Sequence, residues 1–426
     1  MNENQLEPDI QPEPPKPFAG RDDIFARIQQ YLVDPSDRHA LLIIGRDAMG
    51  KSHILQHYVE VVDNSVIPCY LPLTDVTFSS ENAWLTHLIE QTNIALSYSN
   101  FTISRLPQIT DTEAITRQWI TSEYLPEVNK LIRSHRRLVW LMDDAEQLLD
   151  VIQSKKLPDD TLSFLYEVLQ THLQLGIVLT LNEDNESRSS QLAPLVSTSL
   201  FHRLHPLSLD ETSTLLEQFG LTVEPSAIEQ IFVLTDGHPL IVQYMGDELQ
   251  SIRHMTITEA HVEDMTNEVY QQSYDTYRNI WQKSLSQTER LILTAISGLL
   301  YDDPLIDLNA QRVESWLLET DHPLDKTAVN AAIRGLDFRD LIAGSISNIS
   351  IRGELFQRWL IEHARMDEVN PTVAKSNAVD DSLVLSRNGL LIIISIIIFT
   401  IMIVALLQQS NQSTSLPLQP TVTLEQ

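Results

Sequence analysis

The chain has 426 residues, 43% of them hydrophobic, and a formal net charge of -29. That length leaves room for two or three domains with sizeable cores, and that charge repels nucleic acid. A single cysteine, Cys69, excludes an intramolecular disulfide and a cysteine metal site, and reads as a small buried hydrophobe in a reducing compartment.

Residues 1–17 are polar, acidic and proline-rich, the composition of a disordered arm, and show no apolar h-region of a secretory signal. Phe18-Ala19-Gly20-Arg21-Asp22-Asp23 then leads into Ile24, Ile28, Tyr31 and Leu32, which are spaced as one face of a helix. Ala40-Leu41-Leu42-Ile43-Ile44 suits a buried strand. It runs into Gly45-Arg46-Asp47-Ala48-Met49-Gly50-Lys51-Ser52, which reads G-x-x-x-x-G-K-S, the nucleotide-binding P-loop. Residues 52–59 suit a helix, with Ile54, Leu55 and Tyr58 on one face. Strand, glycine loop and helix are the context this motif needs. The glycines let backbone N–H groups turn toward phosphate oxygens, and the helix N-terminus adds partial positive charge. Lys51 is expected to reach the β- and γ-phosphates, and the Ser52 hydroxyl to help hold Mg²⁺.

Residues 65–73 form a second strand candidate, and residues 81–96 and 111–134 have helical patterns. Arg137-Leu138-Val139-Trp140-Leu141-Met142 is a further buried strand, ending in Asp143-Asp144. An apolar strand ending in two acids after a P-loop is the Walker B pattern. Asp143 is assigned to the metal, usually through water, and Asp144 to the attacking water. A helix candidate at 157–173 precedes Gly176-Ile177-Val178-Leu179-Thr180-Leu181-Asn182, a buried strand with a polar end. Either Thr180 or Asn182 could sense the γ-phosphate; an ordinary strand terminus is the alternative. The alternation implies a parallel α/β sheet with its site at the strand C-termini.

From residue 206 the chain turns helical, with apolar spacing over 210–219, 225–234, 239–249 and 257–270, the pattern of a small helical lid. Ser286 and Glu289 make a capping box for a helix reaching residue 299. Helices at 309–318 and 326–337, a hairpin at 341–351 and a helix at 354–360 follow, in winged-helix order. After a polar linker, residues 390–407, from Leu390 to Leu407, are apolar except Ser395 and Thr400. Eighteen residues rise about 27 Å as a helix, close to the hydrocarbon thickness of a bilayer. The expected organisation is therefore an arm at 1–17, a P-loop core at 18–205, a lid at 206–284, a winged-helix-like unit at 285–365, a linker at 366–388, a transmembrane helix at 389–407 and a tail at 408–426. Lys375 and Arg387 precede the span and no basic residue follows it, which places the large domain in the cytoplasm of a single-pass, tail-anchored protein of the cell membrane.

Over about residues 18–364 the chain resembles the STAND class of signal-transducing P-loop NTPases, and within it the bacterial ATPases with an AAA+ domain of the origin-recognition type. Phe18-Ala19-Gly20-Arg21-Asp22 is similar to the family's F-x-G-R-[DE] segment, which implies that Gly20 and Arg21 lie near the adenine. Gly237-His238-Pro239 is similar to the G-x-P motif of the family's lid, which implies that Pro239 lies against the base. The resemblance also implies ATP and Mg²⁺ as cofactors. Three features depart from it. Asn182 stands where many relatives carry arginine, no arginine finger is evident, and the tandem sensor repeats of many relatives are replaced by the apolar span. Arg188 and Arg203 are available as fingers but read as solvated surface charges.

The leading function is a membrane-tethered switch that binds ATP or ADP, turns over slowly and acts on a protein partner or by self-association. A membrane-anchored winged-helix DNA regulator is the alternative, with residues 326–337 as reading helix and Arg334 and Arg339 nearby. Acids outnumber bases between residues 286 and 365, the wrong balance for a phosphate-binding face. A scaffold with a structural, non-hydrolysing nucleotide is a third class.

Overall fold

The first half of the chain alternates helices and strands: α1 (Asp22–Val33), β1 (Ala40–Gly45), α2 (Lys51–Val61), β2 (Val66–Pro72), α3 (Glu81–Tyr98), α4 (Arg117–Trp119), α5 (Leu125–Ile132), β3 (Arg137–Asp143), α6 (Ala145–Gln153), α7 (Thr161–Thr171), β4 (Leu175–Asn182) and β5 (Val196–Arg203). In this computed structural model the described residues are 17–33, 38–74, 79–109, 115–133, 136–252 and 256–364, all within the unit Met1–Val369. The strands make one sheet in the order β2-β3-β4-β1-β5, and every neighbouring pair is parallel.

Every residue of β1 is buried, because helices cover both faces of the sheet. The strand's two-residue period divides its side chains between them. Leu41 and Ile43 pack with Ile24 and Ile28 of α1 and with Ile54 and Tyr58 of α2. Ala40, Leu42 and Ile44 join the opposite cluster, with Trp84 and Leu88 of α3 and Leu165 of α7. The parallel register sets Gly45 opposite Asn182 and Met142 opposite Leu179, so the P-loop, the acid pair and the polar end of β4 emerge along one edge.

The structure departs from the sequence pattern at two places here. The helix expected over 111–134 is broken: α4 passes into a π turn, Ile120–Tyr124, before α5. Pro126, in the first turn of α5, has no N–H to donate, and the π register skips that missing bond. β5 has no counterpart in the apolar pattern, because it is an edge strand whose residues, except Val196 and Leu200, are half-buried or exposed.

The second half is α8 (Leu209–Gln218), β6 (Thr222–Val223), α9 (Pro225–Thr235), α10 (Pro239–Leu249), β7 (Thr256–Ile257), α11 (Glu259–Asn279), α12 (Gln287–Asp302), α13 (Ala310–Glu319), α14 (Lys326–Phe338), β8 (Ile342–Ser345), β9 (Asn348–Ile351) and α15 (Glu354–His363). The short strands β6 and β7 pair in parallel, and β8 and β9 form the expected antiparallel hairpin. α11 runs on past residue 270, because Ser273 and Tyr277 continue its buried face. Ser286 caps α12 as expected: its hydroxyl accepts the Glu289 N–H at 3.2 Å and the Glu289 carboxylate accepts the Ser286 N–H at 2.8 Å. Trp359 of α15 packs back onto α11 and the turn after it, 6.5 Å from the Tyr277 ring and 6.1 Å from Trp281.

No helix among the described residues is long and apolar enough to cross a membrane. Residues 1–16 of the arm expected at 1–17, the linker, the span at 390–407 and the tail lie outside the described residues.

Candidate nucleotide-binding site

At the end of β1 the backbone turns through the P-loop and enters α2 at Lys51. Gly50 takes φ 87, a left-handed conformation that suits glycine, and no side chain caps α2. The helix N-terminus is thus open toward a cavity of about 450 Å³. Asp47, Ala48, Met49, Gly50, Lys51 and Ser52 line it. The Lys51 side chain is buried, and Nζ donates to the carbonyls of Gly45 at 3.0 Å and Arg46 at 2.9 Å. The ammonium is therefore held inside the loop curl, beside the helix N-terminus.

The two acids occupy different environments. Asp143 is 3% exposed, and both its carboxylate oxygens accept protein hydrogen bonds, from the Thr180 hydroxyl at 2.6 Å and the Tyr70 hydroxyl at 2.8 Å. Asp144 follows with a left-handed backbone, φ 61, and lines the cavity. Its N–H donates to the Thr180 hydroxyl at 2.8 Å. Burial, then the neighbouring Asp143, raises the Asp144 carboxyl above its ordinary pKa, and Lys51 opposes that shift. Burial likewise raises Glu146, which accepts the Asn182 N–H at 3.4 Å. Of the two sensing candidates, Asn182 lines the cavity, whereas fully buried Thr180 is committed to the acid pair.

The wall opposite the P-loop comes from the N-terminal segment and the helices of the second half. Phe18, Leu207, Leu215, Pro239 and Leu240 give it an apolar face, with Gln243 at its edge. Phe18 stacks on His57 of α2 at 4.1 Å between ring centroids. Arg21 fastens this wall to the loop. Its guanidinium donates to the His205 carbonyl at 2.6 Å and the Met49 carbonyl at 3.3 Å, and its N–H to Glu211 of α8 at 3.2 Å. Gly20 makes this approach possible: a Cβ there would lie 2.4 Å from Glu211 Oε1, on a backbone at φ 73.

Sequence-predicted Arg21, Asp47, Ala48, Met49, Gly50, Lys51, Ser52, Asp144, Asn182 and Pro239 all line this one cavity. Gly20, Gly45, Arg46 and Asp143 support it without lining it. The Arg46 side chain turns the other way, into a small space of about 20 Å³ shared with Asp236, His238, Asp340 and Arg352. Arg188 and Arg203 are not solvated charges, contrary to the sequence reading. Arg188 pairs with Asp150 at 2.8 Å; Arg203 pairs with Glu183 at 2.9 Å and stacks on Phe338. Tyr70, Gln56 and Glu211 had no motif to announce their roles at the site, whereas Phe18 opens the F-x-G-R-[DE] segment.

No family model matches the sequence, and no curated relative matches it. Solved structures do. A Walker-type ATPase of Pyrococcus abyssi superposes with TM-score 0.55 at 15% identity, covering 82% of this chain and 98% of that one. The ORC2 protein of Aeropyrum pernix superposes with TM-score 0.51 at 16% identity, covering 88% and 98%. What these two share with the chain is the fold, an α/β architecture that here is built on a five-stranded parallel sheet. In this chain the P-loop follows β1, which lies between the central strand β4 and the edge strand β5. A STAND protein of Pyrococcus horikoshii aligns with a TM-score of only 0.35, over 46% of its length, and adds nothing to the fold.

Proposed function

We propose that the chain binds ATP in this cavity, hydrolyses it slowly and uses the exchange as a conformational switch. One observation carries the reading. The P-loop's Lys51 and Ser52, the acid Asp144, the strand-end Asn182 and Pro239 of α10 line the same space. A nucleotide there would touch the sheet with its phosphates and the helical half with its base, so its presence can bias how the two halves close. In this reading α8–α11 act as a lid and α12–α15 as a winged helix. The ORC2 neighbour is described in ADPNP and ADP complexes, which supports a nucleotide in this fold.

Mg²⁺ fits the donor set, since the Ser52 hydroxyl and the Asp144 carboxylate that line the cavity are the hard oxygen ligands it prefers. Bound there, it would neutralise charge developing on the phosphates. Asp144 extends into the cavity to orient an attacking water, and Asp143, whose two carboxylate oxygens are already held by Thr180 and Tyr70, would act on the metal only indirectly, through water. The DNA reading is not adopted, because Arg339 after α14 is engaged by Glu183 at 3.0 Å and Glu289 at 3.3 Å. Arg188 and Arg203 are engaged as well, so neither is proposed as an arginine finger.

We further propose that residues 390–407 anchor the protein in the membrane with the nucleotide domain on the cytoplasmic face, on the strength of an apolar run broken only by Ser395 and Thr400 and of the basic residues Lys375 and Arg387 before it. ATP titration of the full chain by calorimetry tests the switch, and no heat of binding would end the nucleotide reading. Extraction with alkaline carbonate tests the anchor, and release into the wash would end it.

A further inference from the structure

We infer that Tyr70 and Thr180 are positioning residues for hydrolysis: they clamp the acid pair so that Asp144 alone is presented to the nucleotide. The inference rests on the ATPase reading above. The clamp is a continuous chain of hydrogen bonds. Gln56 Nε2 donates to the Tyr70 hydroxyl at 3.2 Å, and that hydroxyl donates to Asp143 Oδ2 at 2.8 Å. On the other side the Asp144 N–H donates to Thr180 Oγ1 at 2.8 Å, which donates to Asp143 Oδ1 at 2.6 Å. Each hydroxyl accepts once and donates once. Asp143, an acceptor only when ionised, closes the chain from both sides.

Two consequences follow from the geometry. Thr180 is fully buried and its hydroxyl is spent on the acid pair, so it does not read phosphate. Its bond to the Asp144 N–H also sits at a left-handed, non-glycine turn, φ 61, a conformation that persists only when its surroundings hold it. The clamp therefore fixes where the Asp144 carboxylate points. At the other end, Gln56 lies one helical turn beyond Ser52 on α2 and lines the cavity, so the chain runs from the helix that meets phosphate to the acids that meet water.

Hydrolysis needs this accuracy. A water oxygen bonds to the γ-phosphorus as the bond from that phosphorus to the β–γ bridging oxygen breaks. ADP and inorganic phosphate result, and the water's proton leaves past Asp144 to solvent. A carboxylate misplaced by about 1 Å can cost about 100-fold in such a step.

The test is single-turnover hydrolysis of Mg·ATP beside calorimetric ATP affinity, on the full chain and on Tyr70→Phe, Thr180→Val and Thr180→Ser. Tyr70→Phe removes one hydrogen bond and should slow hydrolysis about 10-fold. Thr180→Val removes two at constant shape and should slow it about 100-fold. Thr180→Ser keeps the hydroxyl and should restore turnover to within about 3-fold of the parent, with affinity constant across the series. Unchanged turnover in both Tyr70→Phe and Thr180→Val, affinity falling in step with turnover, or failure of serine to rescue would each overturn the clamp. If Thr180→Val does not fold, Tyr70→Phe alone decides. A parent chain that binds ATP without hydrolysing it overturns the clamp and leaves nucleotide binding standing; one that binds no ATP overturns both.

Discussion

Arg339 Nη1 stands 3.0 Å from Glu183 Oε1, tying the residue after α14 to the residue after Asn182 at the nucleotide cavity. The same guanidinium reaches Glu289, the capping-box acid of α12, at 3.3 Å. Glu183 and Glu289 have side-chain exposures of 3% and 8%, so both charges need a cation beside them. Arg339→Ala leaves Glu289 without its ion-pair partner and Glu183 with Arg203 as its remaining one. It should destabilise the protein by about 3 kcal/mol in chemical denaturation, the usual cost of breaking a buried pair from one side. A double-mutant cycle with Glu183→Gln should return a coupling of about 1–3 kcal/mol. A coupling near zero would mean the contact does not join the two halves.

Lys51 is held by two carbonyls of its own loop, within the curl that would take the phosphates. Lys51→Ala removes the charge and leaves the loop's backbone path intact. ATP affinity should fall about 100-fold, the scale of losing one partner of a desolvated charge pair. The melting temperature should stay close to the parent's. Equal ATP affinity in calorimetry would rule the loop out as the phosphate site.

Pro239 opens α10 and lines the apolar wall with Phe18 and Leu207. Pro239→Asp places a carboxylate where a base would lie and should weaken ATP binding at least about 10-fold. It should also abolish nucleotide protection of residues 206–284 from limited proteolysis. Equal protection in mutant and parent would show that α10 does not contact the base.

How much of this site the sequence carried depends on where its signals sit. Lys51, Ser52 and Asp144 are local: a loop or a strand end fixes each, and spacing alone locates them. Arg21 is legible only through the resemblance, because its partners His205 and Glu211 lie about 190 residues away and no periodicity links them. Arg46 stands inside the most specific motif of the chain, yet its side chain serves Asp236 and Asp340 rather than phosphate, since the P-loop constrains backbone at that position and not side-chain direction. β5 was invisible because an edge strand need not alternate strongly. Arg203 shows the same limit. Its two acids, Glu183 and Glu186, come from the segment after β4, and only the parallel pairing of β5 with β1 brings them together.

His238, between Gly237 and Pro239, should make the protein sensitive to acid. It is 5% exposed, and burial, reinforced by the nearby Arg46 and Arg21 charges, lowers its pKa from 6.5 to about 3. The folded state therefore holds His238 neutral, while the unfolded chain takes up a proton as pH falls below 6.5. With more protons bound by the unfolded state, stability rises with pH across this window. The contribution of His238 is fully present above pH 6.5 and is lost progressively as pH falls toward 3. One proton corresponds to about 1.4 kcal/mol per pH unit over the interval. Other groups bend the curve too. Burial holds His172 and His202 low in the same sense, whereas the raised carboxyls of Glu183 and Asp236 act in the opposite one. The difference between parent and His238→Leu isolates the single residue. Denaturant unfolding at steps between about pH 7 and pH 4.5 should show the parent losing stability faster than the variant, by roughly one proton's slope. Parallel curves would mean that His238 is protonated as readily in the folded protein as in the unfolded chain, and that the packing around Gly237-His238-Pro239 is looser than its burial indicates.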